Sequence, residues 1–181
     1  MLFRSLNRIA PGWSLNLGSA VTINQLLDLS YGTLIDSGNV VTVNGSISGT
    51  SSGTHISTGT GKIVMNALNT TNRALKTGSF TLGNLEIAAG SATVYDSISF
   101  TVAKDLTLTS GNFVTSPGTA YITTVQGNLF GGTGIASGPG KIRMTGTSKL
   151  VTGVTVDSLE IAQYSSIKAG ANFNVNKGFL L

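Results

Sequence analysis

Two segments of this chain repeat one another. Gly-Thr-Gly-Lys-Ile-Val-Met at residues 59–65 returns as Gly-Pro-Gly-Lys-Ile-Arg-Met at residues 138–144, and the offset from Lys62 to Lys141 is 79 residues. Further along, the phrase Leu-Glu-Ile-Ala at residues 85–88 also returns, now with an offset of 74 residues. A chain that repeats itself on this scale is usually a stack of similar units rather than one globular core.

Short alternating segments fill both copies. Apolar residues alternate with Thr, Ser or a charge in runs such as Val40–Val43, and glycine-rich breaks separate the runs. A period of two indicates strands with one buried face. Residues 22–29 come nearest to a helical pattern, but Leu27 and Leu29 match the strand-like Leu106 and Leu108, so we interpret them as strand. The sequence therefore predicts an all-β chain.

The spacing of apolar residues indicates the topology. Comparable residues recur at steps of 22, 21, 19, 17, 17 and 21, at Ile63, Leu85, Leu106, Val125, Ile142, Leu159 and Leu180. A step of about 20 residues is long for a meander of hairpins, and it suits one coil of a parallel β-solenoid (β-helix). An antiparallel β-sandwich is the alternative, because it also has short strands at regular spacing. We predict a solenoid in which Ile63, Leu85, Leu106, Ile142 and Leu159 are buried in stacked rows of like residues.

The repeat divides the predicted solenoid into three parts of one continuous array. They are an N-terminal entry segment with the first coil (1–26), a first repeat unit (27–105) and a second, shorter unit (106–181). The second unit stops within a coil, at apolar residues and without a polar cap. An open coil exposes unpaired backbone groups, so we expect this chain to be a segment of a longer array and to associate end to end in isolation.

Composition excludes several classes of function. Charged residues are 10% of the 181, the net charge is +4, and the eleven Lys and Arg residues are scattered singly. This pattern argues against a nucleic-acid partner. There is no cysteine, which excludes disulfides, zinc–thiolate sites and a thiol nucleophile. No apolar run approaches the ~20 residues that span a bilayer. We expect no membrane span and no cofactor.

Two glutamates occupy equivalent places in the repeat. Glycoside hydrolysis needs two carboxyl groups ~5–10 Å apart. Glu86 and Glu160 would lie four coils apart, roughly 15–20 Å, and between apolar neighbours we expect them to be ordinary solvent-facing charges. The remaining acids, including Asp96, Asp105 and Asp157, are dispersed, although folding could bring Glu86 and Asp105 together. We therefore predict no catalytic residues and treat a β-helical polysaccharide lyase or glycoside hydrolase as the alternative.

Other candidate residues could contact a glycan. Lys62 and Lys141 repeat, and they could form a basic stripe for acidic polysaccharide or serve as charges that discourage strand-edge pairing. Tyr31, Tyr121 and Tyr164 could present flat faces to sugars, as could Trp13, or could be packing residues.

His55 is the only histidine of the chain. It lies among Ser, Gly and Thr, and no acid or cysteine stands beside it at the spacing of metal ligands. We predict a surface loop residue.

The phrases of the repeat resemble those of a known group of proteins. Gly-Lys-Ile-x-Met, a polar loop, Leu-Glu-Ile and then Leu-Thr-Leu-Thr-Ser-Gly-Asn are similar to the strand repeats of long surface and adhesin-like proteins of Bacteroidetes, cargo of the type 9 secretion system. The resemblance covers residues 27–181 and is carried by residues 59–63, 83–87, 106–112, 138–142 and 158–161. It implies secretion and surface attachment, and it implies no catalytic residues.

Together these observations favour a structural or adhesive segment, a stalk or binding surface, in an extracellular or cell-surface repeat protein. Its expected partners are neighbouring repeats and an extracellular polysaccharide or surface. Residues 1–11 contain two arginines but no continuous apolar stretch after them, so no convincing export signal is recognised there.

Overall fold

A computed structural model describes residues 1–7, 9–66, 73–76, 80–115 and 120–181. The described residues contain strands and no helix, and all the strands belong to one sheet of 22 strands. In chain order the strands are β1 (Leu2–Phe3), β2 (Ser14–Asn16), β3 (Val21–Ile23), β4 (Leu26–Leu29), β5 (Gly32–Ile35), β6 (Val40–Val43), β7 (Ser46–Gly49), β8 (Gly53–Ile56), β9 (Lys62–Met65), β10 (Arg73–Lys76), β11 (Thr81–Leu82), β12 (Leu85–Asp96), β13 (Phe100–Val102), β14 (Leu106–Thr115), β15 (Ile122–Val125), β16 (Leu129–Gly131), β17 (Ile135–Ser137), β18 (Lys141–Met144), β19 (Lys149–Thr152), β20 (Thr155–Ile161), β21 (Ile167–Ala169) and β22 (Asn174–Leu180).

The strands stack into three faces, and in each turn the chain passes through face A, then face B, then face C. Face A contains β1, β3, β6, β9, β16, β19, β21 and the first halves of β12 and β14. Face B contains β4, β7, β10, β17, the second halves of β12 and β14 and the first halves of β20 and β22. Face C contains β2, β5, β8, β11, β13, β15, β18 and the second halves of β20 and β22.

The architecture is a parallel β-solenoid of about eight turns with about 20 residues in each turn. On every face a strand pairs in parallel with the strand one turn earlier and one turn later; Val41, for example, lies beside both Val21 and Ile63. At ~4.8 Å per turn the stack is roughly 40 Å long. The predicted solenoid is therefore confirmed, and the sandwich alternative is wrong because its strands would pair antiparallel.

The core is the interior of this stack, filled by the inward residues of the alternating strands. On face A the inward row is continuous and fully buried at Ile63, Leu85 and Leu106, as predicted. Val125, Ile142 and Leu159 are also buried. Each turn thus adds like residues above like, and the hydrophobic effect favours the stack at about 25 cal/mol per Å² of apolar surface removed from water.

The predicted series of apolar residues crosses from one face to another. Leu106 is followed on face A by Leu129, whereas Val125, Ile142 and Leu159 belong to face C. The series therefore does not form one row.

Leu180, the last apolar residue of the series, is 51% exposed. Leu159 is in register with Phe179, so Leu180 is in register with the outward Glu160.

The repeat does not correspond to a whole number of turns. Lys62–Met65 forms β9 on face A, whereas its copy Lys141–Met144 forms β18 on face C. The two copies of the second repeated phrase also lie on different faces, with Glu86 on face A and Glu160 on face C. The two repeat units are joined in one uninterrupted stack.

Amide and carboxylate side chains hold successive turns together at the corner between faces C and A. The side-chain carbonyl of Asn84 accepts the backbone N–H of Asp105 at 3.1 Å, and the carboxylate of Asp105 accepts the backbone N–H of Asn128 at 2.7 Å. The Asn128 side chain in turn accepts the N–H of Leu150 at 2.9 Å. This ladder satisfies backbone donors where the strands end, and such donors are costly to leave unpaired.

Candidate functional site

An exposed aromatic ring and several hydroxyl groups line a cleft at the edge of face C. It has a volume of about 460 Å³ and is lined by Pro11, Gly12, Trp13, Ser14, Tyr31, Gly32, Thr33 and Ser52. Trp13 is 71% exposed, and Tyr31 is half-buried. The volume lies within the usual range for small-ligand sites, and the lining carries no charge.

A turn places Trp13 in this cleft. The backbone N–H of Trp13 donates to the carbonyl of Ala10 at 3.0 Å, and Gly12 has a positive φ of 76°. The carbonyl of Trp13 then accepts the N–H of Thr33 at 2.9 Å, which attaches the turn to β5. Gly32 packs against this turn with a positive φ of 66°, and a Cβ at Gly32 would be 2.8 Å from the Trp13 carbonyl oxygen. Glycine at this position allows the close approach.

The three tyrosines predicted as glycan contacts do not share one site. Tyr31 lies beside Trp13 in the cleft. Tyr121 precedes β15 at the same edge of face C, and its carbonyl accepts the N–H of Lys141 in the next turn at 3.1 Å. Tyr164 follows β20 and is 90% exposed at a different corner.

Lys62 and Lys141 form ion pairs on different faces, so they do not make a basic stripe. The ammonium group of Lys62 lies 2.6 Å from the carboxylate of Glu86, one turn along face A. Thr109 in the following turn donates to the same carboxylate at 2.7 Å. Burial alone would raise the pKa of Glu86, but the hydrogen bonds from Lys62 and Thr109 outweigh it and hold this pKa below its usual value.

The corresponding pair on face C involves three side chains. The carboxylate of Glu160 contacts the ammonium group of Lys141, and Arg143 donates to it from Nε at 2.7 Å and from Nη2 at 3.3 Å. The hydrogen bond from Lys141 is the main reason why the pKa of Glu160 lies below its usual value. Both repeated lysines begin a strand, and each neutralises a glutamate of the next turn.

Glu86 and Glu160 occupy outward positions between buried apolar residues, as predicted, but they are not freely exposed charges. Their side chains are only 15% and 18% exposed, and both accept hydrogen bonds from neighbouring turns. They also lie on different faces rather than one above the other. Each carboxylate is therefore held in its own ion-pair cluster.

His55, predicted to be a surface loop residue, is buried in the core. It points inward from β8, in register with Leu34 of the preceding turn. Its Nδ1 accepts the backbone N–H of Gly83 at 3.2 Å, so the ring proton of the neutral form is on Nε2. That nitrogen lies 3.2 Å from Oδ2 of Asp36, which is also fully buried.

The contact between His55 and Asp36 is close but poorly aligned. Neither atom of the contact has a partner with hydrogen-bond geometry among the described residues. The other oxygen of Asp36 accepts the backbone N–H groups of Gly38 and Thr58, each at 3.0 Å. Burial lowers the pKa of His55 to about 4, although Asp36 acts in the opposite direction. With no solvent access, the pair is a structural element of the core.

The other acids are engaged in the same structural way. Asp28 accepts from Ser30, Asp96 from Thr123, and Asp105 from Asn128. Asp157 accepts from Lys177 at 2.7 Å, and this hydrogen bond is the main reason why the pKa of Asp157 is lowered. Each of the seven acids of the chain therefore has a partner in the stack. Asp105 is bound within the corner ladder and is not paired with Glu86.

Within the described ranges, no group of three or more His, Cys, Asp or Glu residues is arranged to hold a metal ion. A search of the same residues finds no helix long and apolar enough to cross a membrane. Comparison of the chain with models of protein families, with curated proteins and with solved structures gives no match. The function must therefore be argued from the solenoid and its surfaces.

Proposed function

We propose that this chain is a structural and adhesive segment of a secreted or cell-surface repeat protein. The observation that supports it is the uninterrupted stack, in which parallel ladders on three faces join each turn to the next. Such a stack is quasi-one-dimensional and presents long regular surfaces, which suits a stalk that also binds. The resemblance of its phrases to surface and adhesin-like repeats of Bacteroidetes points the same way.

The engagement of the carboxylates supports a non-enzymatic role. A polysaccharide lyase or glycoside hydrolase needs acids or bases that can exchange a proton with the substrate. Glu86 and Glu160 neutralise lysines, and Asp36 and Asp96 are fully buried. These carboxylates give the enzymatic alternative no support.

The surface location can be tested on intact cells of the source organism. Antibodies raised against the purified chain should label intact cells, and external protease should remove the label. Labelling that requires permeabilised cells would contradict the proposal. In parallel, the purified chain incubated with neutral and acidic polysaccharides should release no new reducing ends and no unsaturated sugars. Release of either product would favour the enzyme instead.

A further inference from the structure

The cleft at Trp13 opens onto a row of hydroxyl side chains along face C. One outward residue of each turn is in register with its equivalent in the next, from Ser14 through Thr33, Thr54, Thr81 and Thr101 to Thr124. Ser14 and Thr33 are themselves part of the cleft lining. At ~4.8 Å per turn the row extends for roughly 24 Å. We call this set of six residues the hydroxyl row.

The threonines of the hydroxyl row are half-exposed. Among the described residues, no side-chain hydrogen bond involves the hydroxyl of any threonine in the row. Elsewhere threonine hydroxyls do serve the structure: Thr109 donates to Glu86, and Thr115 accepts the N–H of Gly140 at 2.7 Å. The row therefore offers regularly spaced donors and acceptors to an external partner.

The row is also neutral over its whole length. The outward residues of β2, β5, β8, β11, β13 and β15 include no charged side chain. Charge appears only beyond Thr124, where the next outward residue is Arg143, and Arg143 is already paired with Glu160. An anionic chain would gain no ion pair along the row, whereas a chain of neutral hydroxyl groups could exchange hydrogen bonds with every turn.

From the cleft and the row together we propose that face C binds a neutral polysaccharide. One sugar ring stacks on the exposed face of Trp13 beside Tyr31, and the following sugars lie along the hydroxyl row. Aromatic rings supply apolar contact with the C–H face of a sugar, and hydroxyl groups supply the polar contacts. The inference rests on the proposed adhesive function and names its ligand class and its site.

Affinity electrophoresis in gels that contain a single polysaccharide tests this directly. The probes are hydroxyethyl cellulose, xylan and mixed-linkage β-glucan as neutral chains, and alginate and polygalacturonate as acidic ones. We expect retardation by at least one neutral chain, unaffected by added salt because no charge contributes. Trp13→Ala should weaken that binding about tenfold, the order of one aromatic contact. Retardation by acidic chains alone, abolished by salt, would overturn the proposal.

A second variant tests the hydroxyl row separately from the cleft. Replacing Thr54, Thr81 and Thr101 by Val removes three hydroxyl groups, keeps the side-chain shape and retains strand propensity. Binding should weaken again, whereas Thr42→Val on face A, where Thr42 also points outward, should leave it unchanged. Circular dichroism and a melting curve establish that each variant is folded.

The outcomes separate this inference from the proposed function. If no neutral polysaccharide is bound, or if the Trp13 variant and the triple variant both bind like the parent, the assignment of face C is wrong. Surface labelling of intact cells would still support the stalk in that case. If the labelling fails while the neutral polysaccharide is bound at face C, the binding site stands and the surface role does not.

Discussion

The buried pair of His55 and Asp36 predicts how the stability of the chain depends on pH. Burial lowers the pKa of His55 from 6.5 to about 4 in the folded chain. Between these values the unfolded chain binds a proton that the folded chain excludes. Stability is therefore complete above pH 6.5 and falls as the pH decreases toward 4.

The size of the effect follows from the difference of about 2.5 units in the pKa of His55. At about 1.4 kcal/mol per unit, the full loss is about 3.5 kcal/mol, and about 2 kcal/mol of it occurs between pH 7.5 and pH 5. Glu86, Glu160 and Asp157 have lowered pKa values, so their contributions are lost mainly as the pH falls below about 4.5. Between pH 7.5 and pH 5 the loss of stability therefore comes mainly from His55.

Urea unfolding followed by circular dichroism at pH 7.5, 6.5, 5.5 and 5 measures this loss. The matched control is His55→Gln, because a glutamine amide can accept from Gly83 and donate toward Asp36 but does not titrate. The readout is the change with pH within each protein, so a general destabilisation of the variant does not affect the result. Equal pH dependence in parent and variant would refute the assignment of a neutral buried histidine.

Three further changes probe the stack. Leu106→Asp places an unpaired charge in the fully buried row of face A and should cost several kcal/mol, enough to leave the chain unfolded in a melting assay. Gly45→Ala would put a Cβ 1.5 Å from the Gln25 carbonyl oxygen and should lower the free energy of unfolding by about 3 kcal/mol or more. Its control is Gly18→Ala, which has open space around the added Cβ and should be nearly neutral. Similar urea midpoints for the two variants would contradict the close spacing of the turns. Glu160→Gln removes a partly exposed ion pair and should cost at most about 1 kcal/mol in low salt and less in high salt, so a large loss that persists in high salt would show that the pair is buried more deeply.

The fold could be predicted from the sequence because its signals are local. Alternation of period two identified the strands, and the recurrence of apolar residues identified the turn length. The face of each strand was harder, because corner lengths vary: the step from Leu106 to Leu129 on face A is longer than the step from Leu106 to Val125, which is on face C. The number of residues between apolar positions therefore cannot tell whether Val125 or Leu129 is the one that stacks on Leu106.

The inward position of His55 could have been found in the sequence. Gly-Thr-Leu-Ile at Gly32–Ile35 and Gly-Thr-His-Ile at Gly53–Ile56 differ in one residue, and the histidine occupies the place of the core Leu34. A lone histidine among Gly, Ser and Thr suggests a loop, whereas the match between these two turns indicates a core position.

The cleft could not be found in the same way. The turn that begins at Ala10 brings Trp13 into the same cleft as Tyr31, and nothing in the spacing of the aromatics indicates that they share a site.

The two copies of the repeated segment lie on different faces, and this shows which structural unit the repeat corresponds to. Asp36 and Thr115 are 79 residues apart, and each buries a polar side chain inside a corner, where it accepts backbone N–H groups of the next turn. One corner joins faces C and A, and the other joins faces B and C. The same local design thus works at two corners of the triangular cross-section. The interchangeable module of this rod is one side with its corner, so a duplication need not copy whole turns to remain compatible with the stack.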